Sequence, residues 1–166
     1  MQMSSMTHNL QLRDVQPDDL ETFFQYQLDP DALYMAAFTW KDPADRDAFN
    51  ARWEKILADK TILIQTILYE GQVAGSVSSY RWGGEPEVTY WLGREFWGKG
   101  IATWALGELL EIDRSRPMYA RVAKDNLASL RVLQKCGFVI QGEDKGFANA
   151  RGKEVEEYIL VLNVED

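Results

Sequence analysis

The most informative segment of the chain is Tyr90-Trp-Leu-Gly-Arg-Glu-Phe-Trp-Gly-Lys-Gly-Ile-Ala-Thr-Trp-Ala-Leu106. A strand pattern that ends near Leu92 runs into a segment with glycines at 93, 98 and 100, and an apolar helix pattern follows it. Glycine lets the backbone approach a ligand closely, while the free N–H groups and the positive dipole end of a helix favour a phosphate. The stretch therefore predicts a strand, an anion-binding loop and a helix, in that order.

Three nucleotide-binding motifs compete for this loop. Gly93-x-x-x-x-Gly98-Lys99 fits a P-loop, but Gly100 stands where a hydroxyl should bind magnesium. Gly98-x-Gly100-x-x-Thr103 fits a dinucleotide fingerprint only with its third glycine replaced, and it follows a meander instead of opening a strand-helix-strand unit. The third motif is the diphosphate loop of coenzyme A acyltransferases, with Gly-x-Gly or Gly-x-Ala between a strand and a long helix. A glycine-rich connection that binds no ligand also stays open.

The residues before this stretch predict an antiparallel meander preceded by two helices. The stretch between the helices, 29–42, is expected to be irregular and aromatic, which is typical of loops that line a binding site. The predicted elements are a strand over 10–15, a helix opened by Pro17, a helix over about 43–59, and strands over 61–69, 72–80 and 87–92.

The residues after it predict strand-helix units and a closing hairpin. A strand over 118–123 precedes a helix that Asn126 can cap, with Leu127, Leu130 and Leu133 facing inward. A hairpin over 138–148 and 154–162 ends the pattern. We therefore expect a mixed α/β fold with one domain over 10–164 and a frayed leader over 1–9.

Two segments carry a family resemblance. Phe96-Trp-Gly-Lys-Gly-Ile-Ala-Thr103 resembles the cofactor loop of the GNAT superfamily of acetyltransferases. Asp125-Asn-Leu-Ala-Ser-Leu-Arg-Val-Leu-Gln-Lys-Cys-Gly-Phe138 resembles its second signature, Asn-x-x-Ser ending in Gly-Phe. The resemblance runs from Leu10 to the last strand and is closest to the branch that includes ribosomal-protein N-terminal acetyltransferases. It implies an enzyme that moves an acetyl group from acetyl-CoA onto an amine.

The resemblance also implies a fold and a cofactor site. The GNAT fold has a mostly antiparallel central sheet with one splayed parallel strand pair and flanking helices, and the pantetheine arm of coenzyme A fills the splay. The diphosphate would lie on the N–H groups of residues 98–103. The implied cofactor-binding residues are Trp91, Leu92, Trp97, Gly98, Lys99, Gly100, Ile101, Ala102, Thr103, Asn126 and Ser129. Simpler explanations stay open: Asn126 as a helix cap, Ser129 as a packing residue and Lys99 as a solvated charge.

For catalysis, we hypothesise direct attack by a neutral amine, because no Cys or Ser has the His partner of a covalent relay. Glu87 could remove the amine proton through water, with a surface glutamate as the alternative. The resemblance makes Ser129 the candidate acid, because Leu133 stands where many relatives have a tyrosine. A backbone N–H near Leu92 could stabilise the oxyanion.

The acceptor is expected to bind among aromatic residues, although these could equally belong to the core. The candidates are Tyr34, Phe38, Trp40 and Phe147. The acceptor amine could belong to a protein N-terminus, a polyamine, an aminoglycoside or an amino-acid-like compound. Two other functions stay open: an acyl-CoA-binding module without catalysis, and a small nucleotide kinase that needs ATP and magnesium.

The composition limits the kinds of partner that the chain can bind and indicates the cellular compartment. The chain has 166 residues, enough for one core, and its formal charge of -8 disfavours nucleic acid. Cys136 is the only cysteine, which excludes an internal disulfide and favours a reducing, cytoplasmic compartment. His8 is the only histidine, so we expect no metal site, and no apolar run is long enough to span a membrane. A monomer and a homodimer are equally compatible with the sequence.

Overall fold

The computed structural model describes residues 9–164. Within this range the chain forms seven strands and five α-helices. His8 and the predicted leader, apart from Asn9, lie outside this range. The strands are β1 (Leu10–Asp14), β2 (Leu63–Tyr69), β3 (Gln72–Trp82), β4 (Glu85–Leu92), β5 (Met118–Ala123), β6 (Val139–Ala148) and β7 (Lys153–Leu162). The helices are α1 (Asp19–Gln27), α2 (Pro30–Ala36), α3 (Arg46–Ala58), α4 (Ile101–Ile112) and α5 (Leu127–Lys135).

The strands form one sheet in the order β1-β2-β3-β4-β5-β7-β6. Every neighbouring pair is antiparallel except β4 and β5, which are parallel and share the single residue pair Glu87 and Tyr119. The prediction of a mixed α/β fold with a splayed parallel pair is therefore confirmed. The splay places the end of β4, and the loop that follows it, beside an open gap in the sheet.

The core lies on both faces of the sheet. On one face, α4 buries its apolar stripe, including Ala105, Leu106 and Leu109, which are fully buried. On the other face, aromatic rings of α1 and α3 form a second cluster in which Phe23 and Trp53 lie 5.2 Å apart. The first cluster also contains Val88 and Leu92 of β4, so the layer with α4 holds the strand that leads into the cofactor loop.

Two local predictions were wrong. The stretch 29–42 was expected to be irregular, but α2 forms within it because Asp29 accepts a hydrogen bond from the N–H of Asp31 and Pro30 takes the first helical position. Leu127 was expected to face inward, but it is 59% exposed. It lies about 120° around α5 from the buried Leu133, since successive helical residues turn by about 100°.

The carboxylate of Asp19 joins α1 to β1 and β2. It is buried and accepts hydrogen bonds from Arg13 at 2.7 and 2.9 Å, from the N–H of Gln16 at 2.9 Å and from the hydroxyl of Thr66 at 2.7 Å. Burial raises the pKa of Asp19, but these hydrogen bonds and the charge of Arg13 outweigh it and hold the pKa below its usual value. Ionised Asp19 therefore stabilises the fold.

Asp19→Asn is expected to lower the free energy of unfolding at pH 7 by about 1–3 kcal/mol, because Arg13 loses a buried anionic partner. A group with a depressed native pKa contributes stability above its unfolded value, near 3.9, and loses it as the pH falls through the native value. The difference from wild type should therefore shrink below about pH 4. Urea unfolding at pH 7 and pH 3 measures it, with exposed Asp18→Asn as the control. An equal difference at both pH values would contradict the assignment.

Candidate functional site

A cavity of about 920 Å³ opens where β4 and β5 separate. β4 stays paired with β3 as far as Leu92, and β5 stays paired with β7 as far as Ala123. Within residues 9–164, Glu87 and Tyr119 are the only residue pair that joins β4 to β5. The cavity, which we call the main cavity, is lined by these sequence-predicted residues: Phe38, Trp40, Glu87, Trp91, Leu92, Trp97, Gly98, Ala102, Asn126 and Ser129.

The backbone of β4 turns alternate residues toward this gap. The N–H of Gly93 donates to the carbonyl of Ala74 on β3 at 2.9 Å. Because hydrogen-bonded and non-hydrogen-bonded pairs alternate in an antiparallel ladder, Trp91 also bonds to β3, while Tyr90 and Leu92 direct their N–H groups at β5. The indole of Trp97 donates to the carbonyl of Leu92 at 3.2 Å. The N–H of Leu92 is thus free to bind a ligand in the gap. Trp91 contributes only its side chain to the gap, because its N–H bonds to β3.

The cofactor loop presents unpaired amides beside the main cavity. Gly98 and Gly100 have φ of 75° and 78°, and a Cβ added to either would meet nothing within 4 Å. In the described part of the chain, none of the amides of residues 98–103 donates a hydrogen bond to another protein group. Gly100 caps α4 without a side-chain hydrogen bond. The loop therefore has the geometry of an anion site at a helix N-terminus.

Four residues that were predicted to bind the cofactor do not line the main cavity: Lys99, Gly100, Ile101 and Thr103. The side chain of Ile101 is buried in the core, and the ammonium of Lys99 lies 6.0 Å from the ring centre of Tyr69. Thr103 accepts a weak hydrogen bond at its carbonyl from Cys136. These residues and Gly100 can reach a diphosphate only through backbone amides or, for Lys99, by swinging toward it.

Glu87 lies at the branch point of β4 and β5, and its carboxylate is buried. It is 6% exposed, so the surface interpretation was wrong. Its cross-strand partner is Tyr80, and the Arg121 Nε atom lies 4.0 Å from its Oε1. Arg121 also pairs with Glu157 at 2.8 Å and with Asp144 at 3.2 Å.

These surroundings disfavour the ionised form of Glu87. Burial raises the pKa of Glu87, Arg121 lowers it, Glu157 raises it, and the hydrogen bond with Tyr80 lowers it; the net pKa lies above the usual value. Burial and the neighbouring carboxylate of Glu87 raise the pKa of Tyr80 to about 12, so its hydroxyl keeps its proton. A carboxyl with a raised pKa in a cavity is suited to proton transfer near neutral pH.

Ser129 lies on α5 and accepts a hydrogen bond from the hydroxyl of Tyr90 at 2.9 Å. Burial raises the pKa of Tyr90, so this hydroxyl stays protonated and serves as the donor. Asn126 caps α5 by accepting from the N–H of Ser129 at 3.2 Å. A hydroxyl that accepts a hydrogen bond is itself a better donor, and Ser129 faces the main cavity with such a partner.

The segment 29–40 is tied to the cofactor side of the molecule. Arg94, in the 3-10 turn after β4, pairs with Asp29 at 2.8 Å and with Asp31 at 2.6 Å. The side-chain amide of Asn126 donates to the carbonyl of Met35 at 3.2 Å. Both polar ends of Asn126 are therefore engaged within the protein, and α2 is attached to the cofactor loop and to α5.

The structure brings two of the four predicted acceptor residues to the main cavity. Phe38 and Trp40 line it, and the ring of Trp40 lies 5.4 Å from that of Trp91. Tyr34 instead lies under the guanidinium of Arg151 at 4.0 Å, and Phe147 is 65% exposed; neither lines a cavity described here.

Four functional candidates were missed in the sequence: Tyr80, Tyr90, Arg121 and Glu157. Alternation along the strands could have placed Tyr80 and Glu87 on one face, but the pairing of β3 with β4 was needed to make them neighbours. Within residues 9–164, no helix is long and apolar enough to cross a membrane, and no group of three or more acidic, His or Cys residues could hold a metal ion.

Known proteins are similar to this chain in sequence and in fold. A family model described as "Acetyltransferase (GNAT) domain" matches residues 9–139. An uncharacterised N-acetyltransferase, p20 of Bacillus licheniformis, is 25% identical over 94% of this chain and 93% of that protein. The structure of yncA from Salmonella typhimurium with acetyl-CoA has a TM-score of 0.78 at 19% identity, covering 95% of each chain. Mycobacterium smegmatis RimJ in complex with CoA-disulfide has a TM-score of 0.78 at 21% identity, covering 93% of this chain and 82% of that one.

Proposed function

Since this chain belongs to the GNAT acetyltransferase family, we propose that it transfers the acetyl group of acetyl-CoA to a primary amine. The observation that carries the proposal is the gap beyond Glu87 and Tyr119, which opens beside the unpaired amides of residues 98–103. A strand gap and an anion-binding loop, side by side, suit a ligand that has both an amide-rich arm and a diphosphate. Complexes of yncA with acetyl-CoA and of RimJ with CoA-disulfide support this cofactor.

The cofactor-binding residues follow from the two parts of the site. The amides of Gly98 to Thr103 hold the diphosphate, and the free N–H of Leu92 meets the arm in the gap. Trp91, Trp97 and Ala102 contribute side-chain surface to the same cavity. When bound, acetyl-CoA supplies an activated acetyl thioester. We assign the whole catalytic unit to residues 10–164.

The residues of the main cavity are arranged for direct transfer. Glu87 takes a proton from the acceptor ammonium through water, because its buried carboxyl has a raised pKa. The N–H of Leu92 faces the negative charge that develops on the carbonyl oxygen as the amine nitrogen bonds to the acetyl carbon. Ser129 donates a proton to the sulfur as the carbon–sulfur bond breaks, and Tyr90 polarises Ser129 for this step. The proton that the nitrogen loses as the amide forms restores the hydroxyl of Ser129.

The acceptor approaches along Phe38 and Trp40, which line the main cavity opposite β4. A protein N-terminus, a polyamine or aminoglycoside, and an amino-acid-like amine are all primary amines that this site suits. The single cysteine supports a reducing, cytoplasmic location for the reaction.

Thiol release from acetyl-CoA, measured across a panel of amines, N-terminal peptides and aminoglycosides, tests the proposal. Acetylation of at least one amine class supports it. Calorimetry with acetyl-CoA and with ATP-magnesium separates the alternatives: tight acetyl-CoA binding without thiol release would indicate a non-catalytic module, and binding of ATP-magnesium alone would indicate a kinase.

Ser129→Ala is expected to lower kcat by about tenfold or more, because the leaving thiolate loses its proton donor. Tyr90→Phe should cause a smaller loss, since the hydroxyl of Ser129 remains but loses its polarising partner. If the two act as a unit, the double variant loses no more than Ser129→Ala alone.

The measurement is kcat with acetyl-CoA and with a thioester of a more acidic thiol. A better leaving group needs less protonation, so it should reduce the loss in all three variants. Equal losses with both thioesters, or fully additive losses, would contradict the role of Ser129. Thermal unfolding of each variant controls for the unpaired hydroxyl that Ser129→Ala leaves on Tyr90.

A further inference from the structure

A second cavity of about 550 Å³ lies between the sheet and the helices α1 and α3. We call it the side cavity. It shares part of its wall with the main cavity, so a compound in the side cavity borders the gap between β4 and β5. The residues that line both are Trp40, Tyr80, Thr89, Tyr90 and Trp91.

Arg52 of α3 lines the side cavity without an acidic partner. Its guanidinium lies 4.4 Å from the ring centre of Trp40 and 5.5 Å from that of Phe49. It donates a hydrogen bond to the Gln27 side-chain oxygen at 3.0 Å. In the described range 9–164, it forms no ion pair with a carboxylate. Because a guanidinium has five N–H donors, most of them remain for a ligand.

Other arginines without a carboxylate partner have different surroundings. Arg116 donates to the backbone carbonyls of Leu110, Asp113 and Ser115 at the end of α4. Arg131 is exposed to solvent on α5. Arg52 differs from both because it is half-buried in the wall of a cavity.

The charges around the side cavity favour an anion. Burial lowers the pKa of Arg52, which reflects the cost of holding this cation away from water without a counter-charge. Arg81 also lines the side cavity, but its guanidinium pairs with Asp113 at 3.9 Å and donates to the hydroxyl of Ser115 at 3.2 Å. Asp59 also lines it, but lies about two helical turns from Arg52 and already accepts hydrogen bonds from the N–H and hydroxyl of Thr61 at 2.8 and 2.6 Å. A ligand carboxylate would therefore be the nearest partner for Arg52.

We propose that Arg52 binds a carboxylate of the acceptor, so the acceptor is a small amine that also carries a carboxylate, such as a free amino acid or an ω-amino acid. This inference rests on the proposed function, since it names the chemical class of the acceptor. The planar fork of a guanidinium matches a carboxylate with two hydrogen bonds, and the stack on Trp40 holds that fork in place. The volume of the side cavity lies in the range of small-molecule sites.

The charge around Arg52 differs from that of the whole chain. The formal charge of -8 favours a cationic substrate at a distance. Within the side cavity, Arg52 has no carboxylate partner among residues 9–164, whereas Arg81 pairs with Asp113 and the carboxylate of Asp59 accepts hydrogen bonds from Thr61. The amine of the acceptor meets Glu87, while its carboxylate meets Arg52.

The test compares aminocarboxylates of increasing chain length with their uncharged amides as acceptors. Wild type should prefer at least one carboxylate over its amide by about tenfold or more in kcat/KM, the size of a charge-assisted hydrogen bond. Arg52→Met, which keeps an unbranched apolar stem but removes the guanidinium, should abolish this preference by lowering kcat/KM for the carboxylate toward the value for the amide. Arg52→Lys should retain part of it. Arg131→Met, which removes an exposed arginine, should leave the preference intact.

The outcomes separate this inference from the proposed function. Acetylation of amides and carboxylates at equal rates, or acetylation of peptide N-termini alone, would overturn the role of Arg52 and leave the acetyltransferase standing. If no amine is acetylated, calorimetry of the CoA-loaded protein with an N-acetylated amino acid and its amide still tests Arg52. Weaker binding of the carboxylate to Arg52→Met than to wild type supports the inference, and equal binding overturns it. Thermal unfolding shows whether each variant is folded.

Discussion

Glu87→Gln is expected to lower kcat by about 10²- to 10⁴-fold at pH 7 while leaving the affinity for acetyl-CoA unchanged, because it removes the proposed general base without changing the shape of the cavity. In wild type, kcat/KM should fall as the pH drops through the raised pKa of Glu87, since only the carboxylate accepts a proton. The variant should lose this acid limb. Steady-state rates from pH 5 to 9 measure both effects.

Stability provides the first control for this variant. A group whose native pKa is raised stabilises the fold below its unfolded pKa, and the contribution is lost as the pH rises through the native value. Glutamine mimics the neutral carboxyl, so Glu87→Gln should be at least as stable as wild type at pH 7. A large fall in Tm would mean that the loss of activity reflects unfolding.

The matched control is Asp144→Asn. Asp144 also pairs with Arg121, at 3.2 Å, but it is exposed and does not line the main cavity. Its loss perturbs the same guanidinium and should leave kcat within about threefold of wild type, as expected for an exposed ion pair. If both variants fall equally, or if Glu87→Gln keeps the wild-type pH profile, Glu87 is not the base.

Gly98→Val should raise the Kd for acetyl-CoA by about tenfold or more, equivalent to about 1.4 kcal/mol. The added side chain would project into open space that we assign to the cofactor, since nothing in the protein lies within 4 Å of a Cβ at this position. It would also strain a backbone with φ of 75°, at a cost of about 1–2 kcal/mol for an L-residue.

Gly84→Val separates the two effects of that substitution. Gly84 has φ of 86° and open space around its Cβ position, but it lies in the turn between β3 and β4, at the other end of these strands. Both variants should lose similar stability in thermal unfolding. Calorimetry should show a loss of acetyl-CoA affinity only in Gly98→Val. Similar affinities in both variants would refute the anion site at residues 98–103.

The fold was largely predictable because its signals are local. The strand that ends at Leu92, the glycine loop and α4 follow one another in a single stretch, and each has its own pattern. The prediction failed at α2, although Asp29 and Pro30 carry an ordinary helix start, because aromatic composition was given more weight than the capping signal. The exposure of Leu127 was missed because three leucines spaced three residues apart, at 127, 130 and 133, were assigned to one face of the helix.

The candidate site was less predictable because its contacts join distant parts of the chain. The burial of Glu87 depends on the pairing of β3 with β4 and on Arg121 from β5, which no local pattern specifies. Tyr90 and Ser129 are 39 residues apart and meet only because β4 and α5 border the same cavity. The side cavity is likewise formed by three separate strands and two helices, so the environment of Arg52 is a property of the tertiary structure.

The ion pairs of Arg94 with Asp29 and Asp31 join the turn after β4 to the start of α2. A displacement of that turn would therefore move the start of α2 with it. If acetyl-CoA displaced the turn, it would change the affinity for the amine, and the amine would change the affinity for acetyl-CoA by the same factor. A Kd for acetyl-CoA that changes when an amine is bound, and stops changing in Arg94→Ala, would reveal this linkage.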